Sequence, residues 1–106
     1  MKQKLEIAVK AAIDASREVL YLYNQGFTVS IKEDESPVTT GDLKANEIII
    51  KYLSPTGIPI LSEESEKESE KTRSSWEQYW CIDPIDGTKE YVNKTDEYCI
   101  SIGILT

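Results

Sequence analysis

An apolar run, Tyr79-Trp80-Cys81-Ile82, opens directly into Asp83-Pro84-Ile85-Asp86-Gly87-Thr88. Two carboxylates stand three positions apart, followed by a glycine and a hydroxyl. Pro84 biases Asp83 towards an extended backbone. Gly87 permits a tight turn or the close approach of a ligand to the main chain. Thr88 is placed to cap a following helix, and the amides of Gly87 and Thr88 at such a helix start form an anion site. Carboxylates held together repel unless a proton or a cation intervenes. With no histidine or thiolate nearby, an oxygen-preferring cation such as magnesium fits best. Carboxylates beside an anion-binding turn point to metal-bridged phosphate chemistry. The competing reading is a plain turn, with one aspartate in an Asx-turn and the other solvated. For a bare D-x-x-D-G-T pattern that reading is the commoner one.

Two further pieces carry acids. Ser62-Glu63-Glu64 leaves the end of a strand, as Asp83 does, so Glu63 and Asp83 meet at one metal if the two strands are neighbours. Asp42 stands beside Thr39 and Thr40, where a role as a helix N-terminal acid is sufficient by itself.

The elements that must position these residues follow from periodicity. Leu5, Ala8, Ala12, Ala15, Val19 and Leu22 make one apolar stripe and predict a helix over 2–25, stopped by Gly26. Phe27, Val29 and Ile31 alternate with Thr28, Ser30 and Lys32, which predicts a half-buried strand. Glu33, Asp34 and Glu35 read as an acidic, solvated turn. A second helix starts near Thr39 or Thr40, after the Ser36-Pro37 break. Ala45, Ile48, Ile49, Tyr52 and Leu53 form its buried face, and Pro55 and Gly57 end it. A short strand spans 58–61, with Pro59 marking an edge position. Residues 62–77 are charged and aperiodic and read mostly as a surface loop. A strand over 79–82 follows, then a short helix or turn over 90–96. In the last strand Tyr98, Ile100, Ile102 and Ile104 alternate with Cys99, Ser101 and Gly103.

The chain has 106 residues, one domain at most, with 40% apolar and 29% charged residues, which suits a globular core. Twelve basic against nineteen acidic residues leave a net charge of −7, which argues against nucleic-acid binding. The lack of histidine removes Ser-His-Asp and Cys-His nucleophiles and His-ligated zinc. Any catalysis must use carboxylates, hydroxyls, lysines, backbone amides or a hard cation. Cys81 and Cys99 lie in apolar runs and read as buried free thiols in a reducing compartment, with a disulfide left open. No secretory signal or transmembrane run is visible, so the chain reads as cytoplasmic, with peripheral association with the inner membrane left open. It stops at Thr106, directly after the last strand, which suggests a fragment.

Taken together, these residues resemble the N-terminal part of the inositol-monophosphatase-like, lithium-sensitive, magnesium-dependent phosphatases. The matching elements are Ser36-Pro37-Val38-Thr39 with Asp42, then Ser62-Glu63-Glu64, then Asp83 to Thr88, in the family order. Tyr79-Trp80 before the motif and Lys89-Glu90-Tyr91 after it look most like the 3'(2'),5'-bisphosphate nucleotidase branch. The resemblance covers nearly the whole chain.

It implies an α/β layered sandwich, two helices on an antiparallel or mixed sheet, forming part of a larger catalytic domain. It implies that Glu63, Asp83 and the carbonyl of Ile85 hold a first magnesium, and that Asp83 and Asp86 hold a second. Asp42, Thr88 and Glu63 form the catalytic set, with Thr88 bonded to Asp42 and orienting the attacking water. Asp86, Gly87 and Thr88 bind the substrate phosphate. Glu64 is left as a supporting or structural residue. The implied reaction is two-metal removal of the 3'-phosphate from adenosine 3',5'-bisphosphate, with a link to sulfur assimilation. An inositol or other polyol monophosphatase, or a non-catalytic metal-binding or assembly module, stands as the alternative. Gly41 departs from the alanine common in the family and is expected to loosen its helix start. The family's C-terminal part, with a Trp-Asp motif that completes the second metal site, is not in this chain. Little or no turnover by the chain alone is therefore expected, and a cut sheet favours self-association.

Overall fold

The computed structural model describes residues 2–32, 37–65 and 70–105. The acidic turn expected at Glu33 to Glu35, Ser36, and residues 66–69 of the charged stretch lie outside them.

Helix α1 (Lys2–Gln25) ends where Gly26, at φ 121°, donates its amide to the Leu22 carbonyl at 2.8 Å. Its buried residues are Ala11, Ala15, Val19 and Tyr23, whereas Leu5 is 62% exposed. The expected stripe is therefore half right. Close packing on the second helix selects a line of i+4 steps beginning with two alanines, because small side chains let the helix backbones approach.

Strands β1 (Val29–Ile31) and β2 (Pro37–Thr39) form a two-stranded antiparallel ribbon. All three β1 residues are exposed, against the half-buried face expected of Val29 and Ile31. Among the described residues the ribbon pairs with no other strand, and Phe27 turns inward instead, its ring 4.8 Å from that of Tyr91.

Helix α2 (Thr40–Leu53) buries Ala45, Ile49 and Leu53 against α1 and the sheet. Full burial of a side chain such as Ile49 or Leu53 contributes about 1.5–3 kcal/mol relative to exposure. Ile48 and Tyr52, expected on this face, are only half-buried. A 3-10 turn, Ser54–Thr56, and Gly57 at φ 71° close the helix.

Strands β3 (Ile60–Ser62), β4 (Tyr79–Asp86) and β5 (Cys99–Leu105) form a mixed sheet with β4 central. β3 runs parallel to β4, and β5 antiparallel to it. β3 is an edge strand, and the carbonyl of Pro59 accepts from the Trp80 amide at 2.8 Å. Trp80 and Ile82 point into the core together with Ile100, Ile102 and Ile104. Cys81, Cys99, Ser101 and Gly103 line the opposite face, so both cysteines are exposed free thiols rather than buried ones. Alternation put them there: the side chains on the helix side are the bulky ones.

Between β3 and β4 lies a short helix, α3 (Glu70–Ser74), within the stretch expected to be mostly loop. Helix α4 (Thr88–Val92) comes earlier than the 90–96 expected. The architecture is the expected one, two helices on a mixed sheet.

Candidate functional site

β4 is longer than its apolar run. It continues through Asp83, Pro84 and Ile85 to Asp86, with a register shift against β5 between Asp83 and Asp86. Pro84 and Ile85 are buried while Asp83 is half-buried and Asp86 is exposed. The irregularity therefore drives the apolar pair into the core and leaves the flanking acids accessible.

The parallel pairing of β3 with β4 sets Ser62 opposite Ile82. The amide of Glu63 then donates to the Ile82 carbonyl at 3.2 Å, so Glu63, just past the end of β3, comes beside Asp83, which lies within β4. Glu63 is exposed. The turn after Ser62 is fastened from below. Ser62 Oγ, buried, donates to Asn46 Oδ1 and accepts from the Glu64 amide at 3.2 Å. Asn46 Nδ2 donates to Ser65 Oγ at 3.0 Å. Lys32 pairs with Glu64 at 3.1 Å.

Asp42 approaches from α2. Thr39 is the N-cap, and the two residues form a reciprocal capping box. Asp42 Oδ2 accepts from the Thr39 amide at 2.8 Å and from Thr39 Oγ1 at 2.5 Å, and the Asp42 amide donates to Thr39 Oγ1 at 3.2 Å. Asp42 Oδ1 remains for Thr88, whose Oγ1 donates to it at 2.7 Å and lies 3.1 Å from the Ile85 carbonyl. Asp42 is 0% exposed. It is a helix N-terminal acid and also the partner of Thr88; the two readings describe one carboxylate. Thr88 does not cap α4. Gly87, at φ 96°, is the N-cap, without a side-chain cap bond, and Thr88 is the first helical residue with its hydroxyl turned to Asp42.

The charges have a measurable consequence. Burial pushes the Asp83 carboxyl up to about 6, and Asp86, Glu63, Asp42 and Glu64 add repulsion in that order. Burial likewise raises Glu64, with Lys32 working against it. The donors around Asp83 are all hard oxygens, and their crowding is relieved by positive charge. That chemistry fits a hard divalent cation. Among the described residues, no three acidic side chains form a ready-made cluster. The chain presents a row of separate donors rather than a closed cage.

Two contributors escape a reading by motif. Asn46 continues the line Asp42, Asn46, Ile49, Leu53 along the buried side of α2, and a polar residue on that line is the signal that marks it. Tyr91 is fully buried, and its hydroxyl donates to the Val19 carbonyl at 2.9 Å. Nothing in its surroundings in sequence announces that bond.

These features define an α/β layer whose adjacent strands bring acids near a hydrogen bond between the buried Asp42 and the half-buried Thr88. The chain belongs to the inositol monophosphatase family, whose model it matches over residues 1–106. It is 40% identical over 108 residues to the 3'(2'),5'-bisphosphate nucleotidase CysQ of Buchnera aphidicola subsp. Acyrthosiphon pisum, which covers 98% of this chain and 40% of that protein. It is 33% identical over 96 residues to the protein of the same name from Haemophilus influenzae, covering 89% of this chain and 36% of that one. Among solved structures it resembles CysQ from Bacteroides thetaiotaomicron, a bacterial member of the family, with a TM-score of 0.82 and 33% identity over 98% of this chain and 38% of that one. The chain spans about two fifths of the length of the relatives it matches. Among the described residues, no helix is long and apolar enough to cross a membrane.

Proposed function

We propose that the chain is the N-terminal, cation-binding part of a cytoplasmic magnesium-dependent phosphomonoesterase that removes the 3'-phosphate of adenosine 3',5'-bisphosphate. The observation that carries the reading is that the pairing of β3 with β4 brings Glu63 beside Asp83 on the same chain as the Asp42–Thr88 hydrogen bond. The nucleotidase relatives support the choice of substrate.

In this reading Glu63, Asp83, Asp86 and the carbonyl of Ile85 would hold the magnesium ions. Bound there, the ions supply Lewis-acid stabilisation of the charge that develops on phosphate oxygens. Asp42 fixes the direction of the Thr88 proton. Thr88 Oγ1 then faces a water as an acceptor and orients it, and a proton taken up at Oγ1 would be matched by passage of the hydroxyl's own proton to Asp42 Oδ1. The amides of Gly87 and Thr88, at the start of α4, have no carbonyl one turn earlier in the helix and are available to phosphate oxygens. No step needs an imidazole. The remainder of the substrate pocket would come from the part of the protein that the relatives have beyond this alignment, and the chain alone would turn over little or no substrate.

The test is phosphate release from adenosine 3',5'-bisphosphate with magnesium, with and without lithium, by this chain and by the complete gene product. Magnesium-dependent, lithium-sensitive release by the complete product alone is the expected result. A strong preference of that product for inositol phosphates in kcat/KM would end the nucleotidase assignment.

A further inference from the structure

Gly41 precedes Asp42 in the first turn of α2 and is buried. A Cβ there would lie 2.9 Å from the hydroxyl oxygen of Tyr91, 3.1 Å from Ile85 Cδ1 and 3.1 Å from Thr39 Oγ1. All three are closer than an ordinary van der Waals contact. Thr39 Oγ1 is the atom that caps the helix and donates to Asp42 Oδ2. A methyl group at position 41 would therefore press on the hydroxyl that aims the Asp42 carboxylate.

The Tyr91 hydroxyl has little freedom to withdraw. It donates to the Val19 carbonyl at 2.9 Å. Its ring is packed by Tyr23 at 5.1 Å, Phe27 at 4.8 Å and Tyr98 at 4.9 Å. As a phenol it is a donor at neutral pH, and burial pushes it further up, to about 12. Tyr91 follows Thr88 by three residues on α4, which places the two on neighbouring positions of one helix face. The Thr88–Asp42 hydrogen bond thus joins α4 to the start of α2, and the Tyr91 hydroxyl stands where a Cβ at position 41 would crowd it.

We propose that the Tyr91 hydroxyl and the bare Cα of Gly41 form a matched contact that sets the position of the Asp42–Thr88 pair, making Tyr91 a positioning residue. Its bearing on catalysis rests on the function proposed above. A glycine at a helix interior is ordinarily improved by alanine. Here the helix start is held by the Thr39–Asp42 box, so the glycine serves the contact and does not loosen the turn.

The experiment is a double-mutant cycle with Gly41→Ala, Tyr91→Phe and the double variant. The chain is read by thermal midpoint and by hydrogen exchange of the Asp42 amide, which donates to Thr39 Oγ1. The expected result is that Gly41→Ala lowers the midpoint and speeds Asp42 exchange beyond the global change. Tyr91→Phe removes one oxygen, and the double variant recovers a large part of the loss. In the complete enzyme Gly41→Ala should lower kcat about tenfold or more with KM little changed, and the double variant should regain part of it.

A Gly41→Ala chain that is more stable than wild type, or single effects that simply add, overturns the proposal. If Gly41→Ala does not fold, the double variant decides: folding supports the matched contact, and failure while Tyr91→Phe folds overturns it. Absence of phosphate release by the wild-type enzyme overturns the function and the positioning role with it, while the exchange cycle, which needs no turnover, still decides the contact.

Discussion

Thr88 Oγ1 donates to Asp42 Oδ1 at 2.7 Å, joining the first turn of α4 to the first turn of α2 across 46 positions of sequence. The bond is possible because the other oxygen of Asp42 is already taken by Thr39. Replacing Asp42 by alanine leaves the buried Thr39 amide without an acceptor and frees Thr88. A buried donor left unpaired costs about 1–3 kcal/mol. Urea unfolding of Asp42→Ala should show a loss of at least that order, and Thr88→Val a smaller one. An unchanged midpoint for Asp42→Ala would contradict the capping box.

Asp83 carries the pH dependence. Its carboxyl is raised from 3.8 to about 6 in the fold. The folded chain therefore holds this proton more tightly than the unfolded chain does. The resulting stability is complete below the unfolded value and is lost as the pH rises through about 6. The cation-free chain should have a higher thermal midpoint near pH 5 than near pH 7.5. Magnesium should raise the midpoint more at the higher pH, where the carboxylate is ionised. Asp83→Asn should reduce both responses, leaving the part that comes from Glu64, whose carboxyl burial also raises. If magnesium has the same effect on Asp83→Asn as on wild type, Asp83 is not a ligand.

Ser62→Ala tests the floor beneath Glu63. The Ser62 hydroxyl links Asn46 to the amide of Glu64. Its loss should destabilise the chain by about 1–3 kcal/mol. It should also weaken magnesium binding, by letting the turn that carries Glu63 drift. Calorimetric titration of magnesium compares the two chains; equal affinity would mean that the turn is held by the strand pairing alone.

The exposed cysteines give a direct check on the sheet's orientation. Cys81 and Cys99 should both react with a thiol reagent in the folded chain without denaturant. Reaction only after unfolding would place that face of the sheet under cover.

Some of this was legible in the residues themselves. Two helices, the alternation of β5 and the acid-bearing motifs follow from local periodicity and side-chain chemistry, which depend on near neighbours in sequence. The pairing of Glu63 with Asp83 was only conditional, because it requires β3 and β4 to be adjacent and parallel. Local propensity makes Gly41 a weak helix start; the crowding that a Cβ there would meet from Tyr91 and Ile85 is set by packing and has no local signal. The stripe of α1 slipped because Ala11 and Tyr23 became buried on contact with other elements, not through the period of the helix alone.

Which oxygens this protein can offer, and that no imidazole assists them, follows from its residues alone. Which of those oxygens share a charge environment follows from packing. Burial and repulsion act through space, so the raised carboxyl of Asp83, the shared carboxylate of Asp42 and the tight space around Gly41 exist only once distant segments are packed together.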